Sequence, residues 1–145
     1  MRLAEITRAE IQPESVLQQV GAADDGAVLL FLGTVRRSNE GQAVTGMRYD
    51  AYEAMAQAEL AAIVAVAAER WSLEHVVAVH RVGQLQVGEV SVAIAVSAPH
   101  RGEAYEASRF VIEEIKRRLP VWKQEHYRGG EPQWLGGTAP AGTGA

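Results

Sequence analysis

Two lysines give the first hint of chemistry: Lys116 and Lys123 bracket Pro120 in the stretch Lys116-Arg117-Arg118-Leu119-Pro120-Val121-Trp122-Lys123. Pro120 has no N–H for the Lys116 carbonyl, so a helix must stop there and the chain must leave extended. Lys123 then does not simply continue the helix face that carries Lys116. The two ammonium groups can converge on one pocket, with Arg117 and Arg118 pointing elsewhere on the last turn. Clustered cations suit an anionic ligand, and they push each other's pKa down, which suits a lysine that exchanges protons near neutral pH. The same residue types also complement the macrodipole of a helix C-terminus, and spacing alone leaves both readings open.

Other cations are scattered along the chain. His100 and Arg101, in Pro99-His100-Arg101-Gly102, fall where an apolar strand gives way to a helix, a place whose free N–H groups already favour anions. The alternative there is an exposed turn with an incidental basic pair. Arg36 and Arg37 follow a buried strand, and alternation predicts one facing inward and the other outward. His80-Arg81 closes a strand near a turn, where a structural or interface role is expected. The histidines at 75, 80, 100 and 126 lack paired metal-ligand spacing, so no metal site is expected. Gly83 to Gly88 does not open a helix, which removes a dinucleotide loop, and no serine nucleophile elbow is present.

The elements that must position these residues alternate. Leu3–Thr7 reads as a short strand, and Pro13 through Val20 as a helix entered through proline. Ala27–Val35 is a dense apolar run of buried-strand length. Ser38–Gln42 reads as a polar loop and Val44–Tyr52 as a strand, so a hairpin with the preceding strand is the simplest expectation. Glu53–Trp71 is an alanine-rich helix with apolar residues at helical spacing and no chemistry of its own. Val76–Val82 and Val90–Ala98 are strands joined through Gly83–Glu89. Val90, Val92, Ile94 and Val96 alternate there with Ser91, Ala93, Ala95 and Ser97, and the small face is expected to take the helix Gly102–Leu119. Val121–Tyr127 is a further strand, Gly129–Pro132 a turn, and Trp134-Leu135 an apolar anchor. Hairpin-like connections point to α/β, in the α+β sense, with a mainly antiparallel sheet and two long helices packed on it.

With 145 residues, one domain over 1–135 is expected, followed by a disordered Gly/Ala-rich tail over 136–145. A net charge of −4 argues against nucleic-acid binding and leaves room for a local basic pocket holding a small anion. No apolar run approaches the length of a membrane span. The absence of cysteine excludes thiolate catalysis, and the start of the chain lacks a signal-peptide core, which suggests a cytoplasmic protein.

One ordered set of motifs resembles a known family. It comprises Phe31-Leu32-Gly33-Thr34-Val35-Arg36, Asn39 with Gly41, Tyr49 with Tyr52 and Met55, His80-Arg81-Val82-Gly83, Gly88-Glu89, His100-Arg101, Tyr105-Glu106-Ala107, and Lys116 through Glu125. In this order, from about Gly26 to Trp134, it is similar to the large, catalytic subunit of molybdopterin synthase. The resemblance implies a fold of the α/β-hammerhead type and a homodimer carrying a small ubiquitin-like subunit at each end, a heterotetramer. The small subunit's C-terminal Gly-Gly tail, as a thiocarboxylate, would deliver sulfur to cyclic pyranopterin monophosphate, two transfers making the molybdopterin dithiolene. It further implies that Lys116 and Lys123 are the catalytic lysines. Arg36, His100 and Arg101 would complete the anionic pocket, and Thr34, Val35, Gln124 and Glu125 fall in substrate-binding segments. No cofactor is implied.

The residues agree with that chemistry: cations neutralise both a phosphate and a thiocarboxylate, and a lysine with a depressed pKa can move protons or stabilise an oxyanion. Lys116 is expected to be the principal catalytic residue and Lys123 its partner in binding. Pro99 departs from the family pattern and constrains the turn before His100. The terminal Gly-Thr-Gly-Ala is not a Gly-Gly terminus, so the chain reads as sulfur acceptor and not carrier. A non-catalytic module that binds a phosphorylated ligand, and a purely structural subunit, remain alternatives.

Overall fold

The computed structural model describes residues 1–127 and, for the backbone, 133–135. The expected turn at Gly129–Pro132 and the expected tail at 136–145 lie outside the described residues. In chain order the elements are β1 (Arg2–Thr7), α1 (Pro13–Leu17), β2 (Ala27–Thr34), β3 (Ser38–Asn39), β4 (Gln42–Ala51), α2 (Glu53–Arg70), β5 (His75–Arg81), β6 (Gly83–Gln86), β7 (Val90–Ala98), α3 (Arg101–Arg118), β8 (Val121–Tyr127) and β9 (Gln133–Leu135). No helix among the described residues is long and apolar enough to cross a bilayer.

Two sheets share the strands. The first has the order β1-β5-β7-β2, and all its neighbours are antiparallel except the pair β1 and β5. The second joins β3, β4, β8 and β9, with β6 also paired to β4. The architecture is therefore mixed α+β with mainly antiparallel strands and two long helices, as the alternating patterns imply.

Three details differ from the sequence expectation. β2 and β4 do not form a hairpin: β2 pairs along its length with β7, and the chain changes sheet between Thr34 and Gln42. The polar segment after Arg37 instead makes its own small hairpin, β3 with β4, through Glu40 and Gly41, both at positive φ as a two-residue turn requires. Gly83–Glu89 is likewise more than a connection. Gly83, at φ +104, redirects the chain into β6, whose Leu85 is sealed against Val35 and Met47.

The third difference concerns the faces of β7. The two long helices pack on its large face, where Val92, Ile94 and Val96 meet Leu60, Ile63, Ala67, Ala107, Val111 and Ile115. The small face, with Ala93 and Ala95, takes Ile11 and Val16 of the α1 region instead. Large side chains give the two long helices more apolar area to bury, and a five-residue helix needs only the shallow groove that alanines leave. The alanines of α2 serve its close approach, as expected, and Ala56, Ala67 and Ala68 are fully buried.

Candidate active site

α3 stops where proline dictates. Its C-cap residue Leu119 is extended, with φ −69 and ψ 127, and its N–H still reaches the Ile115 carbonyl. β8 begins two residues later, pairing with β4 so that Lys123 lies opposite Tyr49. The break thus carries Lys123 into the second sheet while Lys116 stays on the last turn of α3. Both line two adjoining cavities of about 260 and 250 Å³, along with Tyr49, Ser91, Val92 and Ile112.

The cations of that last turn divide into two groups. Arg117 is bound to Glu114 at 2.6 Å, and Arg118 to Glu59 at 2.8 Å and to Glu114 at 3.5 Å. Lys116 and Lys123 have no hydrogen bond or ion pair among the described residues. A role confined to the helix dipole would not turn one cation of three into a cavity shared with a strand lysine.

One cavity, termed inner because the buried His80 lines it, is lined by His80, Ile115, Leu119 and Val121 besides the shared residues, and none of its lining residues is acidic. The outer cavity adds Thr34, Arg36, Asn39 and Glu125. Glu125 is 3% exposed; it accepts from the Asn39 amide at 3.0 Å and the Tyr127 hydroxyl at 2.6 Å. That pair of donors keeps a carboxylate within a cationic site. The Tyr127 phenol is held above its ordinary pKa, chiefly by donating to Glu125.

Lys123 is pushed below the ordinary lysine pKa. Burial is the largest cause, Lys116 and Arg36 push the same way, and Glu125 opposes them. Neighbouring cations alone were expected to do this; desolvation by the walls of the cavity does more. Tyr49 is pushed up by burial, against a hydrogen bond with Ser91. The Ser91 hydroxyl donates to the Gly33 carbonyl at 3.2 Å, which ties β7 to β2 beside the site.

The remaining candidate residues fall in different places. Thr34 and Arg36 reach the outer cavity, whereas the Val35 side chain is buried with Met47 and Leu85. Both Val35 backbone groups are also engaged, the N–H with Glu89 and the carbonyl with Gly88. Gln124 lies between Lys123 and Glu125 on β8 and by alternation faces the other side of the sheet. His100 and Arg101 start α3 and are exposed, with His100 3.8 Å from Glu103. Fifteen residues of helix separate Arg101 from Lys116, about 22 Å of rise, so one chain does not bring these groups together. The residue the sequence reading left out is His80, which was expected to be structural and which the fold places in the inner cavity.

An unpaired lysine pair facing a half-buried cavity can bind an anion, stabilise a developing oxyanion and exchange protons. Comparison with known proteins gives the same site a family. The model of the family described as "MoaE protein" matches residues 6–118. The molybdopterin synthase catalytic subunit of Bacillus subtilis (strain 168) is 43% identical over 136 residues, covering 94% of this chain and 86% of that protein. The crystal structure of molybdopterin synthase from Staphylococcus aureus superposes with a TM-score of 0.84 at 38% identity, covering 90% of this chain and 95% of that one. A complex of subunits 1 and 2 of molybdopterin-converting factor from Helicobacter pylori shares the fold, with a TM-score of 0.71 at 21% identity and coverage of 97% and 92%. The chain belongs to the MoaE protein family, the family of the molybdopterin synthase catalytic subunits it matches.

Proposed function

We propose that this chain is the sulfurtransferase subunit that makes molybdopterin. It takes sulfur from the C-terminal thiocarboxylate of a small ubiquitin-like partner and adds it to cyclic pyranopterin monophosphate. The observation that carries this is the sparing of Lys116 and Lys123. The arginines beside Lys116 are neutralised by carboxylates, and the two lysines are left facing the same two adjoining cavities. Both reactants are anionic, so unneutralised cations in a half-buried cavity supply binding and transition-state stabilisation together. Lys116, Lys123, Arg36 and Thr34 surround the reacting groups, and Glu125 limits how far the Lys123 pKa falls.

His100 and Arg101 belong to this site only if a second copy supplies them, so the proposal includes a homodimer, flanked by two small subunits as a cytoplasmic heterotetramer. β2 is the last strand of its sheet among the described residues, and its exposed Val28, Phe31 and Leu32 support an interface between copies. Val35 and Gln124 contribute by holding the segments around the site.

The test combines the purified chain, a thiocarboxylated small partner and cyclic pyranopterin monophosphate, and follows dithiolene formation. The parent chain turns over, and Lys116→Ala loses at least about a hundredfold in rate while keeping its fold and its partner. A parent without turnover, as a non-catalytic binding module would be, or a Lys116→Ala chain with parental rate, refutes it.

A further inference from the structure

Asn39 stands between the two opposite charges of the outer cavity. Arg36 and Glu125 both line it, and Lys123 feels each of them, Arg36 pushing its pKa down and Glu125 pushing it up. A guanidinium and a carboxylate on one wall would ordinarily pair. Arg36 instead makes no ion pair among the described residues, and its Nη2 donates to Asn39 Oδ1 at 3.5 Å. The other end of the amide donates from Nδ2 to Glu125 Oε2 at 3.0 Å. Nδ2 also lies 3.5 Å from the Tyr127 hydroxyl, which donates to the same Oε2 at 2.6 Å. A guanidinium carries only donors and an ionised carboxylate only acceptors, so these partners fix which way the amide points.

The small β3–β4 hairpin makes the bridge possible. Asn39 pairs with Gln42 across the turn, and β4 runs on to pair with β8, where Met47 lies opposite Glu125. The turn itself does not call for asparagine at this position. Its two residues at positive φ, where asparagine is favoured, are Glu40 and Gly41.

We propose that Asn39 is a positioning residue for Arg36: its amide oxygen holds the guanidinium at the outer cavity while its NH2 group is anchored on the buried Glu125, so the carboxylate fixes Arg36 at one remove without neutralising it. The proposal rests on Arg36 being one of the cations that meet the anionic reactants. The chemical type of the bridge matters. A carboxylate at position 39 would cancel the Arg36 charge and repel Glu125, and an apolar side chain would leave Arg36 free to swing away or to pair with Glu125 itself. A neutral amide serves a donor-only and an acceptor-only group together and leaves both charges in the site.

The test uses the full chain with its thiocarboxylated partner and cyclic pyranopterin monophosphate. Asn39→Leu keeps the size and removes both ends of the bridge, and it is expected to lower kcat/KM for the cyclic pterin by about tenfold or more. In an Arg36→Met background the same change is expected to cost less than about twofold, because nothing is left to hold. Damage to the hairpin as such would cost the same in both backgrounds. Asn39→Asp keeps the shape and offers Arg36 an acceptor of opposite charge, and it is expected to lose at least as much as Asn39→Leu. A second measurement leaves Asn39 in place: its side-chain carbonyl ¹³C resonance is expected to move in Arg36→Met and its NH2 resonances in Glu125→Gln. Equal losses in the two backgrounds, a parental rate in Asn39→Leu or Asn39→Asp, or amide resonances unmoved by both substitutions overturns the proposal. A parent without sulfur transfer would refute the assigned activity instead, and the amide resonances would still decide whether Asn39 joins Arg36 to Glu125.

Discussion

Gly33 offers a test of how the site's wall is built. It lies opposite Val92 in the β2–β7 ladder, and a Cβ at this position would stand 2.6 Å from Val92 Cγ1. Carbon atoms in contact prefer about 3.5–4.0 Å, so roughly an ångström must be found. Val92 is β-branched, 6% exposed and hemmed by the helix core, so it cannot simply rotate away. Overpacking of this kind costs about 1–3 kcal/mol, and alanine returns about 0.5–1 kcal/mol by restricting the unfolded chain. Gly33→Ala is expected to lose up to about 2 kcal/mol, a drop of roughly 2–6 °C in Tm for a chain of this size. Because Val92 borders both cavities, its displacement also narrows the site, and KM for the pterin rises. The decisive measurement is a double-mutant cycle by urea unfolding. Val92→Ala alone costs about 1–2 kcal/mol through its lost methyls. In the double variant the new methyl occupies the vacated space, so the two losses fall short of adding by at least about 1 kcal/mol. A Gly33→Ala chain as stable as the parent, or strictly additive losses, would refute the close contact as the reason for glycine.

Other expectations follow from charges and their partners. Arg117→Ala and Arg118→Ala should keep sulfur transfer within about threefold and cost no more than about 1 kcal/mol each, since their ion pairs are partly solvated; a large rate loss in either would place it in the site. His80 has a folded pKa of about 4 against an ordinary 6.5, so the unfolded chain binds the extra proton between those values. Stability is therefore full above pH 6.5 and falls as pH drops toward 4, by about 2–3 kcal/mol at pH 4.5. Urea midpoints at pH 7 and 4.5 should show that loss in the parent and a smaller one in His80→Gln. Glu125→Gln removes the group that opposes the depression of the Lys123 pKa, which should fall further; ¹³C NMR of the methylated lysine reads it, and a rise would contradict the assigned balance.

Much of the fold was legible because each element carries its own local signal. The alanine-rich spacing of Glu53–Arg70, the apolar run of Ala27–Thr34 and the alternation in Val90–Ala98 required no knowledge of partners. What failed was pairing. Ser38–Gln42 looked like the turn of a β2–β4 hairpin, but β2 pairs along its length with β7; and the apolar run that read as a buried strand lies at the end of its sheet with Val28, Phe31 and Leu32 exposed, because among the described residues only β7 adjoins it there. β6 escaped notice because Gly83-Gln84-Leu85-Gln86 has one apolar residue and no β-branched one, and only the cluster with Val35 and Met47 makes it a strand.

The site divides along the same line. Convergence of Lys116 and Lys123 was legible because Pro120 enforces it covalently, and the remoteness of His100 and Arg101 from Lys116 within one chain follows from the rise of an 18-residue helix. The place of His80 in the cavity was not legible, since only the packing of α3 and β8 brings their lysines to the same cavity as a histidine near a strand end. The sparing of Lys116 is a middle case. Glu114 stands three and four residues before Arg117 and Arg118, on the same face, but only two before Lys116, out of reach. Glu113, three residues before Lys116, instead turns to Arg109 at 3.9 Å, and the residue four before Lys116 is the apolar Ile112 of the cavity wall. Helical spacing of the carboxylates therefore goes far toward deciding which cations of the last turn are neutralised and which one is left for a ligand. Moving a carboxylate to position 112 would place it one turn before Lys116 on the cavity face, and should abolish sulfur transfer with both lysines still in the chain.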